Sequence, residues 1–450
     1  MCVQIYFNYI CSMDIFKTNQ DILLKNLGFS EFNKMQKATL DSSKTNSNIL
    51  LLAPTGSGKT VAFVLSMLHK IENKEGVQVL ILAPTRELVL QIETVLKQMK
   101  LSFKINACYG GHPFSVERKN FSTPPTILVG TPGRIEDHIR RETFDTSNIS
   151  NLVFDEFDKS LEFGFTKQME KIVQNIPNIK GQLLVSATNA IEIPDFLQIK
   201  SIETLDFSTD KKAELTQQQI ITPIDEKVEG LLALFQTFEK NNNTIVFCNH
   251  REACDRICDY LDDNQVEYAI FHGGLEQPQR ELELLKFRNG SAQFLISTDI
   301  AARGIDIPEL DYVIHYQIPT QESTFTHRNG RTARMKATGT SILVRTETDY
   351  LPDFIKTEPK TISLTNKKEI QKPDWVTVYI GKGKKDKVNK MDVVGFCLQF
   401  DFMKKDDLGL IEVKDFSVYV AIKRNISKRL IAEARTRKIK NKKAKIEIAN

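Results

Sequence analysis

Short, strand-like apolar runs alternate with helical patterns from about residue 20 to residue 345. The first five are 48–53, 77–83, 126–129, 151–154 and 182–185, and each closes on a turn-rich segment. Runs of this length without polar alternation fit strands buried on both faces. Strand and helix in regular succession predict β-α-β units and a parallel, doubly wound sheet. The rhythm fades over 206–222, where polar residues and a proline intervene. It restarts at 243–248 and continues at 267–271, 292–297 and 312–315. Two α/β lobes are therefore expected, over 13–208 and 209–355. A Lys/Thr/Pro-rich stretch, 356–373, reads as a linker. Residues 374–450 read β-α-β-β-α-β, with strands near 375–380, 410–413, 417–422 and 444–448 and helices within 391–400 and 427–439.

Composition adds one asymmetry. The 450 residues carry a formal net charge of only +4, and 41% hydrophobic with 26% charged residues is ordinary for a globular chain. Residues 371–450, however, hold 20 Lys and Arg against 10 Asp and Glu, leaving 41 against 47 for the remainder. An acidic body with a basic C-terminal module points to a polyanion such as nucleic acid. No run approaches the roughly 18 apolar residues that span a bilayer. Residues 1–12 have no basic flank and no small-residue cleavage site, so they read as an upstream start or a frayed strand, and a cytoplasmic location is expected. Seven cysteines do not form a disulfide framework in a chain this long. Cys248, Cys254 and Cys258 lack the second close pair of a zinc site and read as reduced, buried thiols.

The most informative segment is Ala53-Pro-Thr-Gly-Ser-Gly-Lys-Thr60, between a buried strand and an apolar helix. Gly56 and Gly58 let the backbone wrap a phosphate, with Thr55 and Ser57 completing the loop. The helix N-terminus adds partial positive charge. Lys59 would reach the β- and γ-phosphates of ATP, and Thr60 would ligate Mg²⁺. Asp155-Glu-Phe-Asp158 follows another apolar strand, where carboxylates border the phosphate crevice. Asp155 is the candidate Mg²⁺ ligand, and Glu156 the candidate base for the attacking water. Ser186-Ala-Thr188 places two hydroxyls at a further strand end.

The second lobe supplies arginines. His327-Arg-Asn-Gly-Arg-Thr-Ala-Arg334 is dense in positive charge, and Arg331 and Arg334 are candidates to stabilise a transferring phosphoryl group. Another strand end contributes Asp299, Arg303 and Asp306. Phosphate ligands on one lobe and arginines on the other imply a cleft that closes on ATP.

Together these segments resemble the DEAD-box RNA helicases of superfamily 2, over roughly residues 20–345. The resemblance also rests on Pro84-Thr-Arg-Glu-Leu88, Gly110-Gly111, Thr131-Pro-Gly-Arg134, Ile245-Val-Phe-Cys248 and Gln277-x-x-Arg280. It implies two RecA-like lobes. It also implies that Gln36 reads adenine, that Phe16 or Phe29 stacks nearby, and that Asp306 reaches the ribose. Arg86, Gly111, Thr131, Arg134 and Thr298 would grip the RNA backbone. Asp158, Ser186, Thr188, Asp299, Arg303, His327 and Arg328 would couple the lobes. Hydroxyls, backbone N–H groups and arginines are suited to phosphate contact without sequence readout.

Three departures stand out. Phe157 replaces the family's alanine, so altered packing near Ser186–Thr188 is expected. Phe32-Asn-Lys-Met35 lacks the prolines that usually precede the adenine glutamine. Asn329 and Ala333 replace a common isoleucine and glycine, although His-Arg-x-Gly-Arg-Thr-Ala-Arg occurs in the DbpA branch. Residues 378–388, 392–395 and 416–421 resemble the DbpA-type RNA-binding domain, which implies an RRM-like α+β fold. Its paired stacking aromatics are incomplete, with Tyr379 and Tyr419 able to stack or simply to pack. Binding is therefore expected in the Lys382–Lys390 loop, including Lys384 and Lys385, and along the basic tail. The resemblance implies a monomeric, RNA-stimulated ATPase that unwinds or remodels structured RNA, ribosomal in that branch. The alternatives are an ATP-controlled RNA clamp with little unwinding and, third, a DNA translocase.

Overall fold

The computed structural model describes residues 20–449, apart from 55, 112–113, 188–191, 209–213, 303–306, 308–309, 333–337 and 366–367. The chain divides into two compact units near residue 212. The first contains β1 (Asn48–Leu52), β2 (Val79–Leu82), β3 (Ile105–Cys108), β4 (Ile127–Gly130), β5 (Asn151–Phe154), β6 (Gly181–Ser186) and β7 (Glu203–Asp206). They form one parallel sheet in the order β3-β4-β2-β5-β6-β1-β7.

The continuous apolar runs split between two cores with period two. Ile49, Leu51, Val79, Ile81, Ile127 and Val129 join the helices Lys59–Leu68 and Arg86–Gln98 on one face. Leu50, Leu52, Leu80, Leu82, Leu128 and Phe154 join the helix Thr166–Gln174 on the other. Successive strand residues point to opposite faces, so a sheet sandwiched by helices needs apolar residues at every position. The edge strands β3 and β7 escaped the apolar pattern because they are only half buried or largely exposed.

The second unit begins with β8 (Glu214–Thr222), followed by β9 (Thr244–Phe247), β10 (Tyr268–Phe271), β11 (Phe294–Ser297), β12 (Tyr312–His315), β13 (Thr338–Thr346) and β14 (Lys360–Thr361). Their order is β10-β11-β9-β12-β13-β8-β14, again parallel. The glutamine-rich stretch where the rhythm fades is thus a strand. Gln219 within it is 1% exposed, and its amide is satisfied. Nε2 donates to Thr361 Oγ1 at 3.2 Å, and the amide oxygen accepts from Arg345 Nη1 at 2.8 Å. The Lys/Thr/Pro-rich stretch runs along this lobe: β14 pairs with β8, and Ile362, Leu364 and Ile370 pack on its core.

The C-terminal sheet is antiparallel. It comprises β15 (Trp375–Ile380), β16 (Leu408–Val413), β17 (Val418–Lys423) and, after the short hairpin β18 (Lys438–Ile439) and β19 (Lys442–Lys443), β20 (Ile446–Ile448). The order β16-β17-β15-β20 places the first strand centrally, flanked by β17 and β20. Val378, Ile380, Val418, Val420 and Ile422 pack with the helices Lys390–Cys397 and Arg424–Ala434. The other sheet face meets the second lobe. Thr377 Oγ1 accepts from Asn289 Nδ2 at 2.8 Å and donates to Ser291 Oγ at 2.9 Å. The Arg424 guanidinium forks onto Glu267 at 2.9 and 2.5 Å, and Lys414 pairs with Glu281 at 2.9 Å. Among the described residues, no helix is long and apolar enough to cross a membrane.

Candidate nucleotide and RNA site

The carboxyl ends of β1, β5 and β6 carry the candidate nucleotide residues. Gly58 caps the helix Lys59–Leu68 at φ 89°, a conformation an L side chain resists. A Cβ there would also stand 2.6 Å from Gln36 Nε2. Lys59 Nζ donates to Ala53 O at 2.8 Å, so the lysine folds back across the loop it serves. Gly56 takes φ 82°, and Ser57 Oγ donates to Pro54 O at 2.8 Å. Thr60 is the second residue of the helix and partly exposed.

Gln36 clasps this loop rather than standing apart from it. It is 3% exposed, and its Nε2 donates to Gly58 O at 3.3 Å. Its side chain and that of Asn33 cap each other's backbone N–H groups at 2.9 Å. Asn33 Nδ2 then donates to Ser57 O at 3.0 Å. One capping box therefore fastens the helix Lys34–Ser42 to two loop carbonyls. The prolines missing from Phe32–Met35 are not needed for this clasp. Asn33 was not singled out from sequence, although an Asn three residues before a Gln is a capping signature.

Asp155, Glu156 and Asp158 are 3%, 7% and 7% exposed. Asp155 is placed by its N–H, which donates to Leu82 O at 2.9 Å. Its Oδ1 accepts from Glu156 N at 3.0 Å. Burial, then the neighbouring Glu156 carboxylate, pushes the Asp155 carboxyl up to about 7, against the pull of Lys59. Glu156 sits at φ 46°, a left-handed conformation that is uncommon for a non-glycine residue. Three buried carboxylates beside one ammonium make a donor set suited to a divalent cation. Ser186 is fully buried at the end of β6, and its carbonyl accepts from Ala53 N at 3.1 Å. Phe157 turns into the core, edge-on to Phe154 with centroids 5.5 Å apart.

The carboxyl ends of β2, β3 and β4 carry the candidate RNA residues. Thr85 caps the helix that opens with Arg86. The Arg86 guanidinium covers Gly110 and Gly111, where φ is 93° and a Cβ would stand 2.5 Å from Nη1. Thr131 precedes Pro132, the first residue of the helix Pro132–Arg140. Arg134, in that helix, is held by a residue the sequence reading missed. Glu117 is 2% exposed, and its Oε2 accepts from Arg134 Nε at 2.6 Å and faces His138 Nε2 at 2.8 Å. Its Oε1 accepts from Tyr109 N at 3.2 Å. Burial alone would raise the Glu117 carboxyl, but these bonds hold it below the usual range. Cys108 lies close enough to suggest a metal cluster with Glu117 and His138. The guanidinium already supplies the positive charge there, so the group reads as an ion-pair network. The Phe114 ring stacks on His138 at 4.6 Å, with Arg134 and Arg141 over it at 5.2 and 4.5 Å.

In the second lobe, Thr298 and Asp299 follow β11. Arg328 is fully buried, and each of its guanidinium nitrogens is hydrogen-bonded. It donates to Asp299 at 2.5 and 3.1 Å, to Gln317 O at 2.7 Å and to Asn249 Oδ1 at 2.8 Å. His327 and Arg331 are buried beside it in the chain. Asn329 has a structural reason for replacing an apolar residue. Its Oδ1 meets His315 Nε2 at 2.9 Å and accepts from Ser341 Oγ at 2.8 Å. Burial, helped by Arg328, depresses the imidazole of His315 to about 3, so it is neutral.

Lys384 and Lys385 open a 3-10 turn in the C-terminal domain, both exposed. Residues 1–12, Phe16, Thr55, Thr188, Arg303, Asp306, Ala333 and Arg334 lie outside the described residues.

Three families match in succession: DEAD/DEAH box helicase over 33–196, helicase conserved C-terminal domain over 226–336, and DbpA RNA binding domain over 377–448. The chain is 30% identical to the ATP-dependent RNA helicase DbpA of Bacillus subtilis, covering 98% of this chain and 99% of that one. It is 31% identical to the Escherichia coli protein of the same name, covering 94% and 96%. Among solved structures, S. cerevisiae Dbp5 bound to RNA and ADP BeF3 aligns with a TM-score of 0.67 at 26% identity, covering 77% of this chain and 94% of that one. The ordered motifs, the two parallel-sheet lobes, the antiparallel C-terminal domain and full-length similarity together establish that this chain belongs to the DEAD-box RNA helicase family, in its DbpA-like branch.

Proposed function

We propose that this protein couples ATP hydrolysis to local unwinding of structured RNA, acting as a cytoplasmic monomer on ribosomal RNA during large-subunit assembly. The observation that carries the reading is the division of one sheet edge. Phosphate-loop and acidic residues stand at the ends of β1, β5 and β6, and backbone-gripping candidates at the ends of β2, β3 and β4. Ligands gather outside the carboxyl ends of parallel strands, and the two sets meet where β2 pairs with β5.

In this mechanism the loop N–H groups and Lys59 bind the phosphates, which requires Lys59 to exchange Ala53 O for a phosphate oxygen. Gln36 holds the loop's shape and reports on the adenine side. Thr60 and Asp155 would hold Mg²⁺, which would supply the positive charge that the buried acid cluster calls for. Glu156 orients a water and takes its proton as the phosphoryl group leaves. Arg331 and Arg334 neutralise the charge that develops on the transferred group. Arg86, Gly111, Thr131, Arg134 and Thr298 hold the RNA strand by its backbone. Asp299 and Arg328, with Asp158, Ser186 and His327, transmit nucleotide state. The basic C-terminal domain tethers the RNA.

Phe157 gives no support to a clamp without turnover, because its ring packs in the core with Phe154. Glu156→Gln should abolish RNA-stimulated phosphate release while fluorescent ATP analogues still bind. Undiminished turnover in that variant would overturn the mechanism. Unwinding is read separately, as strand displacement of a short RNA duplex flanked by a hairpin.

A further inference from the structure

Phe416 is 71% exposed, on the turn between β16 and β17. A phenyl ring in that position adds nothing to the core beneath it. Lys414 N donates to Ser417 O at 2.8 Å and closes the turn. A second turn is pinned alongside: Lys384 N donates to Lys414 O and Lys385 N to Asp415 O, each at 2.9 Å. The two turns touch backbone to backbone at Gly383. A Cβ there would fall 2.6 Å from Asp415 O and from Ser417 N, and closer still to Lys414 O. The protein thus holds an open aromatic ring at a fixed offset from a lysine pair.

The neighbouring charges are already committed. Lys382 and Lys442 pair with Asp386 at 3.4 and 3.1 Å. Lys414 pairs with Glu281 and Glu412 at 2.9 and 2.6 Å. Lys384 and Lys385 are exposed and have no acidic side chain within ion-pair distance among the described residues, although Asp415 is an exposed acid on the adjoining turn. The sheet face is less open than this edge. Thr377 is spent on the second lobe, Lys423 covers the Trp375 ring at 4.4 Å, and Tyr379 and Tyr419 tilt toward each other at 5.6 Å.

We propose that Phe416 is a stacking platform for an unpaired RNA base, with Lys384 and Lys385 taking the phosphates beside it. The proposal rests on the reading of the C-terminal domain as RNA-binding. An aromatic ring gains from a base whose face is free, and lysines gain from any phosphate. The ligand is therefore single-stranded RNA or an unpaired nucleotide in a folded RNA, rather than a continuous duplex.

The test uses the full chain and two RNA hairpins of equal length, one blunt and one with a single-stranded extension. Trp375 is the protein's one tryptophan, so the signal that Phe416→Trp adds can be isolated by difference. The extended hairpin should quench that added fluorescence, and the blunt one should not. Phe416→Ala should weaken binding of the extended hairpin by about 5- to 150-fold, the range expected for one stacked base. It should leave the salt dependence unchanged. Replacing Lys384 and Lys385 together by Ala should weaken both hairpins and flatten the slope of log affinity against log salt by about 1.5. The far-UV circular dichroism spectrum and the urea unfolding midpoint should match the parent in all variants and serve as the folding control.

An unquenched indole on bound RNA, or Phe416→Ala binding as tightly as the parent, would overturn the stacking platform. Equal quenching by the blunt hairpin would overturn the preference for unpaired bases. If the lysine variant also bound like the parent, the RNA-binding reading of this face would fail as well. Loss of the lysine effect is thus separable from loss of the phenyl effect.

Discussion

Glu117→Gln isolates the charge of a buried carboxylate without changing its shape. The parent side chain accepts from Arg134 Nε at 2.6 Å and Tyr109 N at 3.2 Å, and faces His138 Nε2 at 2.8 Å. Glu117 and Arg134 side chains are 2% and 15% exposed, so water cannot replace the lost partner. Glutamine keeps one acceptor oxygen but turns an N–H₂ toward a donor. Hydrogen bonds to charged groups are worth about 1.5–3 kcal/mol each, and breaking a buried pair costs about 3–5 kcal/mol. The substitution should therefore destabilise the first lobe by about 3 kcal/mol, or about 6–12 °C in its unfolding transition. Hydrogen exchange, read by mass spectrometry on peptides spanning 105–141, should rise at pH 7.

The pH dependence has a definite sign. The Glu117 carboxyl is depressed in the fold from an ordinary value of 4.5, because the bonds from His138 and Arg134 overcome burial. Its stabilisation is complete above that value and is lost as pH falls through the depressed one. The gap between parent and variant should narrow below pH 4.5. A variant within about 0.5 kcal/mol of the parent at pH 7, or a gap that widens on acidification, would refute the argument. Single-stranded RNA affinity should fall in step, because Arg134 loses its anchor.

Gly58→Ala meets both a φ of 89° and the Gln36 amide at 2.6 Å. It should weaken ATP binding at least tenfold, measured with a fluorescent analogue, while RNA binding by the C-terminal domain stays intact. Asn329→Ile restores the residue common in the family but removes the partner of His315 and Ser341. Two buried polar groups left unsatisfied should cost about 2–5 kcal/mol in the second lobe, seen by urea unfolding. Adding Ser341→Ala to it should recover part of that loss.

Much of this protein is legible along the chain because its chemistry is local. The phosphate loop, the Asp155–Asp158 run and the Arg328 segment are each contiguous; the first two follow an apolar strand buried on both faces, and the third closes the helix Glu322–Asn329. Such strands need apolar residues at every position, so they announce themselves. The tertiary structure decided what depends on distant partners. β8 is hidden by its glutamines, since Gln219 is buried only because Thr361 and Arg345 satisfy its amide. Glu117 looks like any helical acid until the fold brings Arg134 and His138 onto it. Asn329 looks like a defect until His315 and Ser341 arrive from β12 and β13. The same holds for Arg424 on Glu267, 157 residues apart, and for Gly383 between two turns. Periodicity reports how a residue faces the core, which is a property of its own segment. Satisfying a buried polar group is a property of pairs, and the pair exists only once the chain has folded.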